Sequence, residues 1–231
     1  MFPEQAQSVM RYLGCRCEYF PRGTEIESVV NAYRSALSEG ACTPLLIVIE
    51  SHMFFDEGIS STDFQKEVFA APKISPEEWF EKTIKAHDND FCYDPNEIIG
   101  EMSGGRTRTG FSAIIDYGIQ RTWDIVLAKI PTMNPWEIFA WFPFGGWNDC
   151  PRNEEMLWIG KCWYEQYGAV PAVISGSELE FTAPPVSKEA AFGLAREHFT
   201  FCPDNVLQNI GTIGRLADEL TKSTVWHFWW D

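Results

Sequence analysis

The 231-residue sequence is poor in the residues that most recognisable chemistries require. There are only four histidines, with no H-x-x-x-H or H-E-x-x-H spacing, so a metal hydrolase has no signature and neither metal nor cofactor is expected. Cations are scarce: 18 Lys and Arg face 33 Asp and Glu, a formal net charge of −15. A chain this acidic repels a phosphate backbone, which excludes nucleic acid as a partner and favours a basic protein partner or a small ligand. No apolar run is long enough to span a bilayer, and the N-terminus lacks a cationic, apolar, small-residue signal, so no membrane association is expected and the cytoplasm is the expected compartment. The seven cysteines are odd in number and irregularly spaced, which argues against a disulfide framework. The C-x-C pair Cys15 and Cys17 has no second pair to complete a metal site. Internal repeats and low-complexity tracts are also absent.

Aromatic residues, in contrast, are abundant. Ten Trp and 17 Phe in a chain that is 45% hydrophobic imply an aromatic-rich core. Met1 to Gly14 reads as a short helix and Glu25 to Gly40 as a clearer one, with Ile26, Val29, Val30, Tyr33 and Ala36 on one face, and Gly14 and Gly40 are their C-terminal stops. Pro44 to Glu50 is a continuous branched run, a strand buried on both faces. His52 to Asp63 reads as a polar loop, and Ser75-Pro76-Glu77-Glu78 opens a helix. The stretch Gly104 to Gly110 is a Gly-flanked basic loop, read as a mobile surface segment or, less simply, as an anion cradle.

From Trp123 the pattern sharpens. Asp124 to Ile130 reads as a strand, Pro131 to Pro135 as a turn, and Trp136 to Trp141 as the return strand of a hairpin. A helix is expected from Pro151 to Tyr167, a tight hairpin from Val170 to Thr182 through Ser175-Gly176-Ser177, and helices from Ser187 and Ile213. Val225 to Asp231, with bulky rings on both faces, reads as a strand in the body of the sheet. Hairpins with segregated helices predict an α+β fold with a mainly antiparallel sheet, an N-terminal helix-strand-helix portion (1–122) being built onto a C-terminal core (123–231) as one continuous domain.

Several of these segments carry a resemblance. Ile130 to Pro151 (IPTMNPWEIFAWFPFGGWNDCP), Trp163 to Ala169 (WYEQYGA), Phe201 to Thr212 (FCPDNVLQNIGT) and the terminal Phe228 to Asp231 (FWWD) resemble the domain of unknown function 4253 family, which is largely bacterial. Asn209 departs from the family pattern, which has Gly after Gln. The resemblance implies a shared fold and a shared central site, and it implies no activity.

Phe142 to Pro151 packs a turn, a Trp, an amide, a carboxylate and a thiol into ten residues. Cys150, at an expected helix start where the dipole lowers a thiol pKa, is the candidate nucleophile, with Asp149 beside it and His227 brought in by folding. The bland reading has Asp149 capping the helix, Pro151 opening it and Cys150 packing. For binding, the candidates are Trp147, Asn148, Asp149, Asp204 and Gln208, since aromatic and polar groups of this kind make interface contacts. The expected function is therefore a non-catalytic binding or protein-interaction module, of neutralising or adaptor type. The alternative is an enzyme centred on Cys150, a reading that requires these residues to converge on one open pocket.

Overall fold

The computed structural model describes residues 3–50, 60–90 and 98–231. His52 and most of the expected polar loop lie outside them. Helix α1 (Glu4–Leu13) buries Ala6, Val9 and Leu13 and stops at Gly14, whose φ of 61° only glycine adopts at no cost. Strand β1 (Arg16–Phe20) follows, then α2 (Ile26–Glu39), which buries Val29, Tyr33 and Ala36, then β2 (Thr43–Val48), buried at every residue as its continuous apolar run requires. Helix α3 (Ser61–Ala70) replaces the last part of the expected loop: the Ser60 side chain accepts from the Asp63 amide, a cap that ends the loop early. Helix α4 (Pro76–Asp90) starts as expected, with Ser75 Oγ accepting from the Glu78 amide at 3.3 Å.

After a two-stranded ribbon, β3 (Ile115–Asp116) and β4 (Arg121–Thr122), the chain forms β5 (Ile125–Ile130). The return strand expected at Trp136 to Trp141 is instead a 3₁₀ helix, Pro135–Ala140. Its start explains the error. Pro135 is preset for a helical first position, Asn134 Nδ2 donates to Glu137 Oε1 at 2.9 Å, and Thr132 Oγ1 bonds the other Glu137 oxygen. Consecutive Ile138, Phe139 and Ala140 are all buried, against α5 (Asn153–Tyr167). Gly160 of α5 permits this approach: a Cβ there would stand 3.0 Å from the Phe139 ring.

The remaining elements are β6 (Val170–Ile174), β7 (Glu178–Thr182), α6 (Lys188–Phe201), a π-helical turn Asn205–Ile210, α7 (Ile213–Leu220) and β8 (Val225–Trp229). The main sheet runs β1-β5-β2-β6-β7-β8. All its pairs are antiparallel except β2 with β6, which meet at Leu46↔Val173 and Ile47↔Ile174. The fold is thus α+β with a mostly antiparallel mixed sheet. β8 is an edge strand, not the interior one its rings suggested: Trp226 and Phe228 bury on one face, while Trp229 is only half-buried.

The sheet has unequal coverings. One face carries α1, α5, α6, α7 and the 3₁₀ helix around Trp163, which is fully buried and rings itself with Phe181, His198, Phe201, Trp226 and Phe228 at centroid distances of 4.9–5.7 Å. The other face is covered by α2 together with the irregular segment 111–115. The expected basic surface loop is docked on α7: Gly105 N–H donates to Asp218 Oδ2 at 2.8 Å, Arg106 N–H to Glu219 Oε2 at 3.3 Å, and Arg108 Nε pairs with Glu219 Oε1 at 2.7 Å. Two of the amides that would cradle an anion, those of Gly105 and Arg106, are therefore already spent on the chain's own carboxylates.

Candidate functional site

The dense stretch before α5 is a plug knotted by its own backbone. Gly145 has φ 84°, and a Cβ there would stand 2.1 Å from the Pro151 carbonyl, so only glycine fits. Gly146 N–H donates to the Cys150 and Pro151 carbonyls at 3.1 and 3.2 Å. Asn148 takes a left-handed φ of 48°, which Asn tolerates better than most residues. Asn153 ties the plug down, donating Nδ2 to the Phe139 and Phe142 carbonyls at 2.7 and 2.9 Å and accepting from Phe144 N–H.

This geometry corrects the nucleophile premise. The cap of α5 is Arg152, three residues after Asp149, and the helix begins at Asn153, so Cys150 is not in its first turn. Cys150 is 4% exposed. Burial first, and the neighbouring Cys202 thiol second, push its pKa up rather than down. Asp149 is exposed and does not cap the helix. His227 sits on β8 with Nε2 3.8 Å from Glu178 Oε2, and no hydrogen bond joins it to Cys150 among the described residues.

The expected binding residues do in part converge, on Asp231. Asn148 donates its side-chain amide to the Asp231 carbonyl, Asp231 N–H donates to Asp204 Oδ2 at 3.1 Å, and Gln208 Nε2 donates to Asp204 Oδ1 at 2.8 Å. Their polar groups thereby fasten the end of β8 to the plug and to the π-helical turn. Trp147 is half-buried, edge-on to Phe144 at 6.3 Å.

An open concavity lies elsewhere, on the thinly covered face. It measures about 450 Å³, within the ~300–1,000 Å³ typical of small-molecule sites. Val30, Tyr33, Arg34 and Leu37 of α2 form one wall, and Phe111, Pro184 and Val225 form the other. The cleft exists because one helix is narrower than six strands and segment 111–115 fills only part of the remainder. Leu37 is 45% exposed there, and Tyr33 stacks edge-on against Phe111 at 5.4 Å. Burial pushes the Tyr33 hydroxyl up to about 12, so it is a neutral donor at physiological pH. Arg34 is exposed at the rim and pairs with no carboxylate among the described residues. Thr109, Thr182 and Thr224 add hydroxyl groups.

Segment 111–115 is anchored by Glu180, which is fully buried on β7 and accepts at Oε1 from Ser112 N–H (2.8 Å) and Oγ (2.7 Å). Burial raises the Glu180 pKa, against opposing pulls from His227 and Ser112. A raised carboxylate pKa means stability held at low pH and lost as pH rises through the folded-state value. Glu180→Gln keeps an acceptor for Ser112 and removes the buried charge. Its gain over wild type is expected to grow as pH rises and to reach about 1 kcal/mol at pH 8, read by urea unfolding across the pH range. An equal urea midpoint for the two proteins at pH 8 would show that the charge is compensated.

The C-terminal part of this structure has relatives. Residues 126–231 match the family model of a domain of unknown function, DUF4253. Over this stretch the chain is similar to the DUF4253 family. No curated protein and no solved structure matches the chain.

The matched stretch contains the plug, the Asp231 clasp and the part of the cleft made by Thr182, Pro184 and Val225. The α2 wall, Val30 to Leu37, and the Thr109 to Phe111 part of the facing wall precede it. Sequence reasoning missed the cleft because its walls come from segments up to about 195 residues apart. One signal was present: the apolar face of α2 is broad, and Val30 and Leu37 lie outside the stripe of Val29, Tyr33 and Ala36 that the sheet buries.

Proposed function

We propose that the chain is a non-catalytic binding module whose ligand is a small amphipathic anion held in the cleft between α2 and the β7–β8 end of the sheet. The cleft itself supports this reading: apolar walls for a hydrocarbon or aryl body, with a rim cation that pairs with no carboxylate among the described residues of an acidic chain. Weighing against the Cys150-centred alternative are the burial of that thiol and the use of Asn148, Asp204 and Gln208 in fastening Asp231.

The test uses 8-anilinonaphthalene-1-sulfonate, an apolar anionic dye. Saturable one-to-one fluorescence enhancement is expected with the wild type. Arg34→Glu should weaken it at least about tenfold, or ~1.4 kcal/mol, and Val30→Trp should abolish it by filling the cleft, with unfolding midpoints unchanged. Dye binding that ignores both substitutions would place the apolar surface elsewhere and end this reading. The acid excess supports a second reading, a basic protein partner steered by charge, whose association rate should fall steeply with added salt.

A further inference from the structure

At the opposite edge of the sheet, two thiols left without a role by the cleft face each other. Cys15 lies in the bend between Gly14 and β1, and Cys17 is the second residue of that strand. Their Sγ atoms are 3.9 Å apart, and both residues are half-buried, so solvent reaches the pair. Among the described residues β1 pairs with β5 alone, as an edge strand, and both Cys side chains pack partly against the main core.

From this juxtaposition we propose that Cys15 and Cys17 form a dithiol–disulfide site that exchanges with low-molecular-weight disulfides. Closing it needs the sulfurs to approach from 3.9 Å to a bonded separation of about 2.05 Å. A half-buried cross-link closing so short a loop is strained, and strained cross-links belong to the class that exchanges readily.

The two sulfurs are close enough to share one proton, either acting as donor, so the pair holds a single thiolate more readily than two separate thiols. The thiolate of one cysteine attacks one sulfur of the small disulfide, forming a mixed disulfide and expelling one thiolate. The other cysteine then loses its proton to solvent and attacks the sulfur of the first, expelling the second thiolate. The protein gives up two electrons and two protons, and the small disulfide is reduced to two thiols. Cys42 is a third half-buried thiol, yet no group of three His, Cys, Asp or Glu among the described residues is arranged to hold a metal ion.

The full chain would be equilibrated in glutathione/glutathione disulfide buffers, remaining thiols trapped with N-ethylmaleimide, and the chymotryptic peptide spanning residues 13–19 weighed. Oxidising buffer should convert that peptide to a form lacking two hydrogens and both maleimide adducts. Cys15→Ser and Cys17→Ser should each stall at a one-to-one glutathione adduct on the remaining thiol of the peptide, while Cys42→Ser behaves as wild type. Two free thiols in the peptide at the most oxidising poise, no adduct in either single variant, or a Cys15–Cys42 link in place of the Cys15–Cys17 one would each overturn the proposal.

Discussion

Replacing Trp163 with alanine is expected to remove about 3–5 kcal/mol of stability, the range for deleting a fully buried indole. In a chain of this size that lowers the melting temperature by roughly 10 °C or more. The indole is buried from all sides, lies parallel to Phe228 at 5.6 Å and edge-on to Trp226 at 5.7 Å, and donates Nε1 to Glu197 Oε2 at 2.8 Å. Truncation leaves a cavity that five rings from three elements would have to collapse, and it orphans a half-buried carboxylate. Trp147→Ala is the matched comparison: half-buried on the plug, with Phe144 as its ring partner, it should cost only about 1 kcal/mol. Differential scanning calorimetry of the pair checks both. Equal losses would mean that the plug, rather than the Trp163 cluster, is the mechanical centre.

The second large effect is acid sensitivity carried by His198. It is sealed between Trp163, Trp226 and Phe228 at 5.0, 4.6 and 4.7 Å, and burial lowers its pKa from the ordinary 6.5 to about 3. The unfolded chain therefore binds a proton between these values that the folded chain refuses. Stability is intact above pH 6.5, falls as pH drops below it, and stops falling near pH 3. The integrated loss is about 4–5 kcal/mol. Glu180 and Glu197, whose pKa values are raised by burial, act in the opposite direction and blunt the decline. His198→Leu removes the titrating ring at near-constant volume. It should flatten the slope between pH 7 and pH 4 while changing stability at pH 8 by less than about 1.5 kcal/mol. Urea midpoints at four or five pH values decide the matter; parallel curves for wild type and variant would show that other groups carry the acid response.

How much of this was legible in the sequence depended on how local the determining physics is. Helices α1 and α2 announce themselves through periodic apolar residues and terminal glycines, and their observed ends fall at Gly14 and Gly40. β2 is equally plain, because six consecutive buried residues need no partner to be recognised as a central strand. Trp136 to Trp141 misled because an aromatic-rich alternation satisfies the strand template, while the Asn134-Pro135-x-Glu137 start that bends it into a 3₁₀ helix is a weaker signal. The site residues were harder. The chemistry assigned to Cys150 depended on a helix beginning where the chain instead spends three more residues on a knot. The clasp of Asn148, Asp204 and Gln208 on Asp231 joins residues 83 and 27 positions apart, and nothing in spacing alone foretells it.

The single parallel pairing in the sheet also has a consequence for synthesis. β2 is made early, yet the partner on one of its sides is β6, about 127 residues later at the Leu46↔Val173 register. At a translation rate of about 5–20 residues per second, that wait is on the order of ten seconds. Until β5 follows, β2 has neither neighbouring strand, and until β6 follows, one hydrogen-bonding edge of the run Leu45 to Val48 stays unpaired. A chain halted before β6 is therefore expected to aggregate more readily than the complete sequence.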